Sequence, residues 1–338
     1  MKIIEVENVS KIYRRYKKKE GIRGSIAGLV KREYEEKAAV RNMNLEVSEG
    51  EFLGLIGPNG AGKTTLIKML TGIIAPTSGR LEVMGYYPND LKNAFKQQYA
   101  VVMGQKSQLF FELTANDTLR LFQKIYDIPE KEYQENKAYF TELFGVKELM
   151  DVQVRTLSLG ERMKLELMVA LLHNPRILFL DEPTIGLDAI ASRQIRRFLK
   201  EVNTDRGTTI LLTSHYMEDI KTLCSRCVVV NHGSKLYDGD TAELFDCYQK
   251  SKKLTVTFTH PVAPGWPGGQ GVLLEESPFK KVLLLPREEI GKALTAFMQL
   301  EPSDIIIEEE EIGAVVERVY QEGSEDICRN TQKSQERI

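Results

Sequence analysis

Apolar residues along this 338-residue chain fall into short runs broken by turn signals, with stretches of helical spacing between them. Glu51-Phe52-Leu53-Gly54-Leu55-Ile56 suits a buried strand, and Thr65-Leu66-Ile67-Lys68-Met69-Leu70 begins a helix. Strands are also expected at Val101-Val102-Met103, Ile177-Leu178-Phe179-Leu180 and Ile210-Leu211-Leu212-Thr213. Helical patterns occupy the gaps: Leu119, Phe122, Ile125 and Tyr126; Tyr139, Leu143 and Phe144; Leu165, Leu167, Met168 and Leu171. Such alternation predicts an α/β fold.

After about residue 245 the pattern changes. Short β-like runs at Leu254-Thr255-Val256-Thr257-Phe258 and Val282-Leu283-Leu284-Leu285 flank a Pro/Gly-rich loop from Pro264 to Gly269. A helix through Ile290, Leu294 and Phe297, a strand Asp304-Ile305-Ile306-Ile307 and an acidic helix to Tyr320 follow, and the polar tail from Ser324 reads as disordered. The expected division is a main domain over 1–245, a small α+β extension over 246–323 without a catalytic constellation, and a tail over 324–338. No internal repeat is visible.

Composition narrows the classes. The length allows two domains, and a formal net charge of -2 argues against a general polyanion binder. Four cysteines without dense, even spacing suggest a reducing compartment, and Cys224 and Cys227, beside Val228-Val229-Val230, read as core rather than metal ligands. No stretch approaches the ~18 consecutive apolar residues that cross a bilayer, and Ile3-Ile4-Glu5-Val6-Glu7 follows the start without a signal-peptide pattern. A soluble, cytoplasmic chain is expected. Residues 11 to 37 are dense in Lys and Arg, with Ile22, Ile26, Leu29 and Val30 at helical spacing, and read as a charged solvated insertion, with anionic lipid or a membrane partner as the alternative.

Chemistry concentrates at two strand ends. Gly57-Pro58-Asn59-Gly60-Ala61-Gly62-Lys63-Thr64 is a complete G-x-x-x-x-G-K-[ST] phosphate loop between a strand and a helix, so the chain is expected to bind a nucleoside triphosphate. Its glycines let backbone N–H groups curl around phosphate oxygens, which a side chain at Gly60 or Gly62 would block, and the helix N-terminus points at the same anion. Lys63 is expected at the β- and γ-phosphates, the Thr64 hydroxyl on Mg2+ and Thr65 at the α-phosphate. Asp181 and Glu182 end an apolar strand where open α/β sheets place ligands. Asp181 is expected to hold Mg2+ and Glu182 to polarise the attacking water.

Between these motifs stands Leu157-Ser158-Leu159-Gly160-Glu161-Arg162, which resembles the L-S-G-G-Q signature of ATP-binding cassette (ABC) ATPases. Other family landmarks occur in order. Tyr13 matches the aromatic that stacks on adenine, Gln105 the Q-loop glutamine that approaches the metal, Ile185-Gly186-Leu187-Asp188 the D-loop, and His215 the switch histidine. The resemblance covers about residues 1 to 245. It implies a P-loop NTPase fold with a RecA-like core, an antiparallel β subdomain and an α-helical subdomain at about 106–165.

The resemblance also implies a mechanism. Two cassettes sandwich ATP head to tail, Ser158 and Gly160 donating to the γ-phosphate held by the partner cassette. Leu159 and Glu161 depart from the usual Gly and Gln, one less free φ and one more negative charge. The segments Val102 to Leu109 and Leu157 to Lys164 look like ABC-2-type exporter cassettes grouped with drug, daunorubicin and viologen exporters. The implied protein is an ATPase that powers export through separate integral membrane permeases, as a homodimer or heterodimer of cassettes on the inner face of the membrane, with no nucleic-acid partner. A soluble ABC-fold ATPase acting on ribosomes or DNA, an importer cassette, and a cassette holding ATP only structurally are the alternatives.

Overall fold

The apolar run at 52–56 becomes a strand buried along its whole length in a computed structural model that describes residues 1–16, 34–104, 107–214, 216–248, 251–265 and 271–309. Chain contacts divide the protein into two units between Gly239 and Asp240. Gln105, His215, most of the basic stretch and the acidic segment to Tyr320 with its tail lie outside the described residues.

The first unit opens with two long antiparallel strands, β1 (Lys2–Tyr16) and β2 (Tyr34–Ser48), then β3 (Phe52–Ile56), α1 (Lys63–Leu70) and β4 (Ser78–Val83). It continues with α2 (Asn93–Lys96), β5 (Tyr99–Met103), α3 (Ala115–Ile125), α4 (Glu130–Phe144) and α5 (Leu159–Leu171). Then come β6 (Ile177–Asp181), α6 (Ala189–Arg206), β7 (Thr209–Ser214), α7 (Met217–Leu223), β8 (Arg226–Asn231) and β9 (Ser234–Asp240).

These strands build two sheets, because two kinds of apolar pattern need two kinds of cover. In β2 burial alternates at Met43, Leu45 and Val47, the signature of a strand with one wet face, and it joins an antiparallel sheet of order β2-β1-β4. In β3 and β7 every residue is buried, which suits strands covered on both faces. They lie inside a six-stranded sheet of order β5-β6-β7-β3-β8-β9, where β3 pairs in parallel with β7 and β8, and β6 with β5 and β7. That order sets the C-terminal ends of β3, β7 and β6 side by side. The α3–α4 segment is capped at its start by Thr114, which accepts from the Asp117 N–H, and closed at its end by Gly145 with φ 61°. Cys224 and Cys227 are buried and form no disulfide, and no His/Cys/Asp/Glu cluster suited to a metal occurs among the described residues. Burial pushes the Cys224 thiol well above its usual pKa.

The second unit contains α8 (Thr241–Tyr248), β10 (Ser251–Thr257), β11 (Val272–Ser277), β12 (Lys280–Pro286), α9 (Ile290–Met298) and β13 (Asp304–Glu309). Its antiparallel sheet has the order β11-β12-β10-β13. Leu254, Val256, Leu283 and Leu285 form one core with Ala293 and Phe297 of α9. β11 carries no strand pattern in the sequence. A register shift between Leu273 and Glu275, with Val272 and Leu274 both exposed, breaks the alternation by which a half-buried strand is recognised.

Candidate functional site

The site is built where β3 stops. The chain turns through Gly57 to Gly62 and α1 begins at Lys63, with Gly62 as its N-cap at φ 113°. A Cβ at Gly62 would sit 2.4 Å from the Ala39 carbonyl oxygen, and one at Gly57 would sit 2.4 Å from that of Val230, so both positions exclude side chains. At Gly60 no protein atom lies within 4 Å of such a Cβ, and the φ of 81° itself favours glycine. Pro58, Asn59 and Gly60 are exposed, Ala61 is buried, and Thr64 and Thr65 are half-buried on the first turn of α1.

Lys63 is only 5% exposed. Its Nζ donates to the Gly57 carbonyl at 2.6 Å and to that of Pro58 at 3.2 Å, so the ammonium is held over its own loop. Burial lowers its pKa, against the opposing pull of the Glu182 and Asp181 carboxylates. Thr64 Oγ1 donates toward the Asp181 carboxylate, 2.8 Å from Oδ2 and 3.1 Å from Oδ1. The structure therefore brings the phosphate loop and the acidic strand end together across 117 positions of sequence.

Thr213, which sequence reasoning took only as the end of a strand, belongs to this cluster. Its hydroxyl donates to Asp181 Oδ1 at 2.6 Å and accepts from the Glu182 N–H at 3.2 Å, while its carbonyl accepts from the same N–H at 3.0 Å. Its signal was a hydroxyl that follows the apolar run Ile210-Leu211-Leu212 near the end of a fully buried strand. Glu182 itself has φ 55°, a left-handed conformation that is unfavourable for a residue with a side chain by roughly 1–2 kcal/mol. Strain of this kind is held where the surroundings over-determine it, and here Thr213 grips the Glu182 N–H from two sides.

The signature segment is arranged otherwise. Ser158 is the N-cap of α5 and forms a capping box with Glu161. Ser158 Oγ and the Ser158 N–H each donate to Glu161 Oε2 at 2.8 Å, and Ser158 Oγ accepts from the Glu161 N–H at 3.3 Å. These bonds hold the Glu161 carboxyl below the usual carboxylate range. Leu159 starts α5 with no positive φ and is 42% exposed, so the departure from glycine fits the backbone found here. A Cβ at Gly160 would lie 2.9 Å from Ala191 Cβ, which presses the signature turn against the start of α6. Asp188 caps α6 by accepting from the Ala191 N–H at 2.7 Å. None of the hydrogen bonds among the described residues joins Ser158, Gly160 or Asp188 to the phosphate loop.

Tyr13 stands on β1, 42% exposed, with Lys11 Nζ 5.4 Å from its ring centroid. Gln105 follows the end of β5 and His215 follows β7 in the chain, but both are outside the described residues.

Comparison with known proteins places this geometry among relatives. Residues 40–185 match the family described as ABC transporter. The chain is 31% identical over 227 residues to the ABC transporter ATP-binding protein NatA of Bacillus subtilis, covering 67% of this chain and 92% of that protein. It is 33% identical to the linearmycin resistance ATP-binding protein LnrL of the same organism, covering 64% of this chain and 68% of LnrL. It is 36% identical to the Nod factor export ATP-binding protein I of Cupriavidus metallidurans, covering 64% of this chain and 71% of that one. In fold it resembles cbiO1 of Clostridium perfringens, part of the ABC transporter complex cbiONQ, with TM-score 0.60 over 72% of this chain and 91% of cbiO1 at 24% identity. A dimeric ATP-binding cassette bound to ADP and Pi aligns with TM-score 0.57 over 70% of this chain and 98% of the cassette at 23% identity.

Proposed function

This chain belongs to the ABC transporter family of ATP-binding proteins, which hydrolyse ATP, and we propose that it powers export through separate membrane permeases as one of two cassettes that close on ATP. The observation that carries the ATPase chemistry is the convergence of Lys63, Thr64 and Asp181 at the ends of β3 and β6, with Thr64 Oγ1 2.8 Å from Asp181 Oδ2. The direction of transport rests on relatives named for export and resistance.

In this reading the β- and γ-phosphates take the place of the Gly57 and Pro58 carbonyls as partners of the Lys63 ammonium, a stronger, charge-assisted contact. Backbone N–H groups of the loop and the N-terminus of α1 meet the same oxygens, and Thr65 reaches the α-phosphate. The Thr64 hydroxyl and Asp181 carboxylate are hard oxygen donors that fit Mg2+, which when bound neutralises phosphate charge. Glu182 accepts a hydrogen bond from the attacking water, whose oxygen bonds to the γ-phosphorus as the bond to the β–γ bridging oxygen breaks, leaving ADP and Pi. Gln105 and His215 act beside the γ-phosphate, and Tyr13 packs on adenine. Ser158 and Gly160 meet the γ-phosphate held by the second cassette, so each site is composite, and Asp188 sits at the same joint.

Among the described residues no helix is long and apolar enough to cross a membrane. In this reading the cassette sits beneath polytopic permease partners on the inner face. The test is recovery of tagged Glu182→Gln protein from solubilised native membranes with ATP and Mg2+. Permease subunits in the eluate are the expected result, and ribosomal or DNA-repair proteins in their place would reassign the ATPase to another task.

A further inference from the structure

Outside the cluster at Asp181 the first unit holds the buried carboxylate of Asp219. Asp219, in the first turn of α7, is 1% exposed, as is Ser214, while Thr184 is 4% and Arg196 9% exposed. Asp219 Oδ1 accepts from Arg196 Nη1 of α6 at 2.8 Å. Its Oδ2 accepts from Thr184 Oγ1 at 2.5 Å and from Ser214 Oγ at 3.0 Å. Thr184 lies two residues after Glu182, on the way to Asp188. Ser214 is the last residue of β7, and its hydroxyl also accepts from the Tyr216 N–H at 2.9 Å, so it holds the chain on both sides of position 215.

We propose that Asp219 is a positioning residue that locks the loop after Glu182 to the strand end leading into position 215, holding both in the register that hydrolysis needs. A buried carboxylate requires a cation, and Arg196 supplies it. The two hydroxyls are not needed for charge balance, and they come from the two segments that flank the proposed reacting groups. A carboxylate suits this junction because it only accepts, so one side chain takes three donors at once, whereas an amide would present N–H groups to at least one of them. The oxygen Oδ2 serves both hydroxyls, so displacement of one segment is felt by the other through a shared acceptor. The inference rests on the reading that Glu182 and the segment at position 215 act on ATP.

Asp219→Asn leaves Arg196 only the more exposed Glu218 carboxylate, 3.1 Å from its Nη2, and lowers Tm, so the hydroxyl variants carry the test. In the full chain, Thr184→Val and Ser214→Ala each lower kcat for ATP about 10-fold, the value of one hydrogen bond to a charged group, with KM within about twofold. Thr184→Ser restores kcat to within about twofold. The double variant loses less than the product of the single losses, because both hydroxyls act through one carboxylate. Wild-type kcat in both single variants would overturn the inference, and so would a change in KM as large as that in kcat. An active wild type with unchanged variants removes this inference alone, whereas a wild type without ATP turnover when recovered with its permeases removes the functional reading with it.

Discussion

Two ends of the first unit carry groups expected at ATP, and they are satisfied in opposite ways. At the phosphate loop Lys63 is held by its own loop, but the hydroxyls and carboxylates find partners remote in sequence: Thr64 with Asp181, Thr213 with Asp181, and Thr213 with Glu182. At the signature they are local, Ser158 with Glu161 and Asp188 with Ala191, each three residues apart. The first arrangement exists only once the sheet has assembled, and it leaves a buried ammonium and a hydroxyl–carboxylate pair facing one place. The second needs no more than a helix N-terminus, and it occupies the Ser158 hydroxyl with an internal carboxylate. A site finished within one chain binds nucleotide alone, whereas a self-capped helix end must give up a local bond to meet a ligand held by another cassette.

The largest effect is expected from Glu182→Gln. Loss of the group that activates water lowers kcat by about 10³-fold while leaving ATP affinity near wild type, read by phosphate release against equilibrium binding. Affinity lost to the same degree would mean Glu182 belongs to the binding shell. Next in size, Lys63→Ala lowers nucleotide affinity of the single chain by roughly 10–100-fold, because a charge-assisted contact to phosphate disappears. Unchanged binding would show that the loop is not where the nucleotide sits.

Ser158→Ala sharpens the contrast, since it touches only the self-capped end. Nucleotide affinity of the isolated chain stays the same, turnover at concentrations where cassettes pair falls up to about 10-fold, and stability drops by about 1 kcal/mol from the lost cap. Reduced binding by the monomer would place Ser158 at its own chain's loop. The smallest effect is that of Glu161→Gln, which frees Ser158 from a carboxylate and raises turnover about twofold, the residual side-chain bond being neutral and weaker. Because Ser158 depresses the Glu161 pKa, the cap is fully present above the unfolded value of 4.5 and is lost as pH falls through the lower folded value. Thermal melts of Glu161→Gln therefore lack this acid-side component, and an identical pH profile in both proteins would contradict the assigned cap.

Much of the site was legible because its motifs are contiguous. The spacing from Gly57 to Thr64 prescribes a turn followed by a helix, and Asp181-Glu182 after four apolar residues prescribes a polar strand end. Thr213 was not legible as a partner, since a threonine in a buried strand has no spacing that ties it to a carboxylate on another strand. The same holds for Asp219, whose partners Thr184 and Arg196 come from other segments. In the second unit β11 was hidden for a different reason, a bulge that shifts which residues face the core.

Local sequence was enough to mark the strands that lead into Gly57 and Asp181, the helix after Gly62, and the side chains that are candidates for phosphate, a cation and a water, because these depend on neighbours within a few residues. Only the tertiary structure decided that β3, β7 and β6 lie adjacent, so that Lys63, Thr64, Asp181, Glu182 and Thr213 share one edge. The same assembly brings Thr184 and the end of β7 to one carboxylate, that of Asp219. Strand order is set by burial summed over the whole core, to which every strand contributes and which no local pattern encodes.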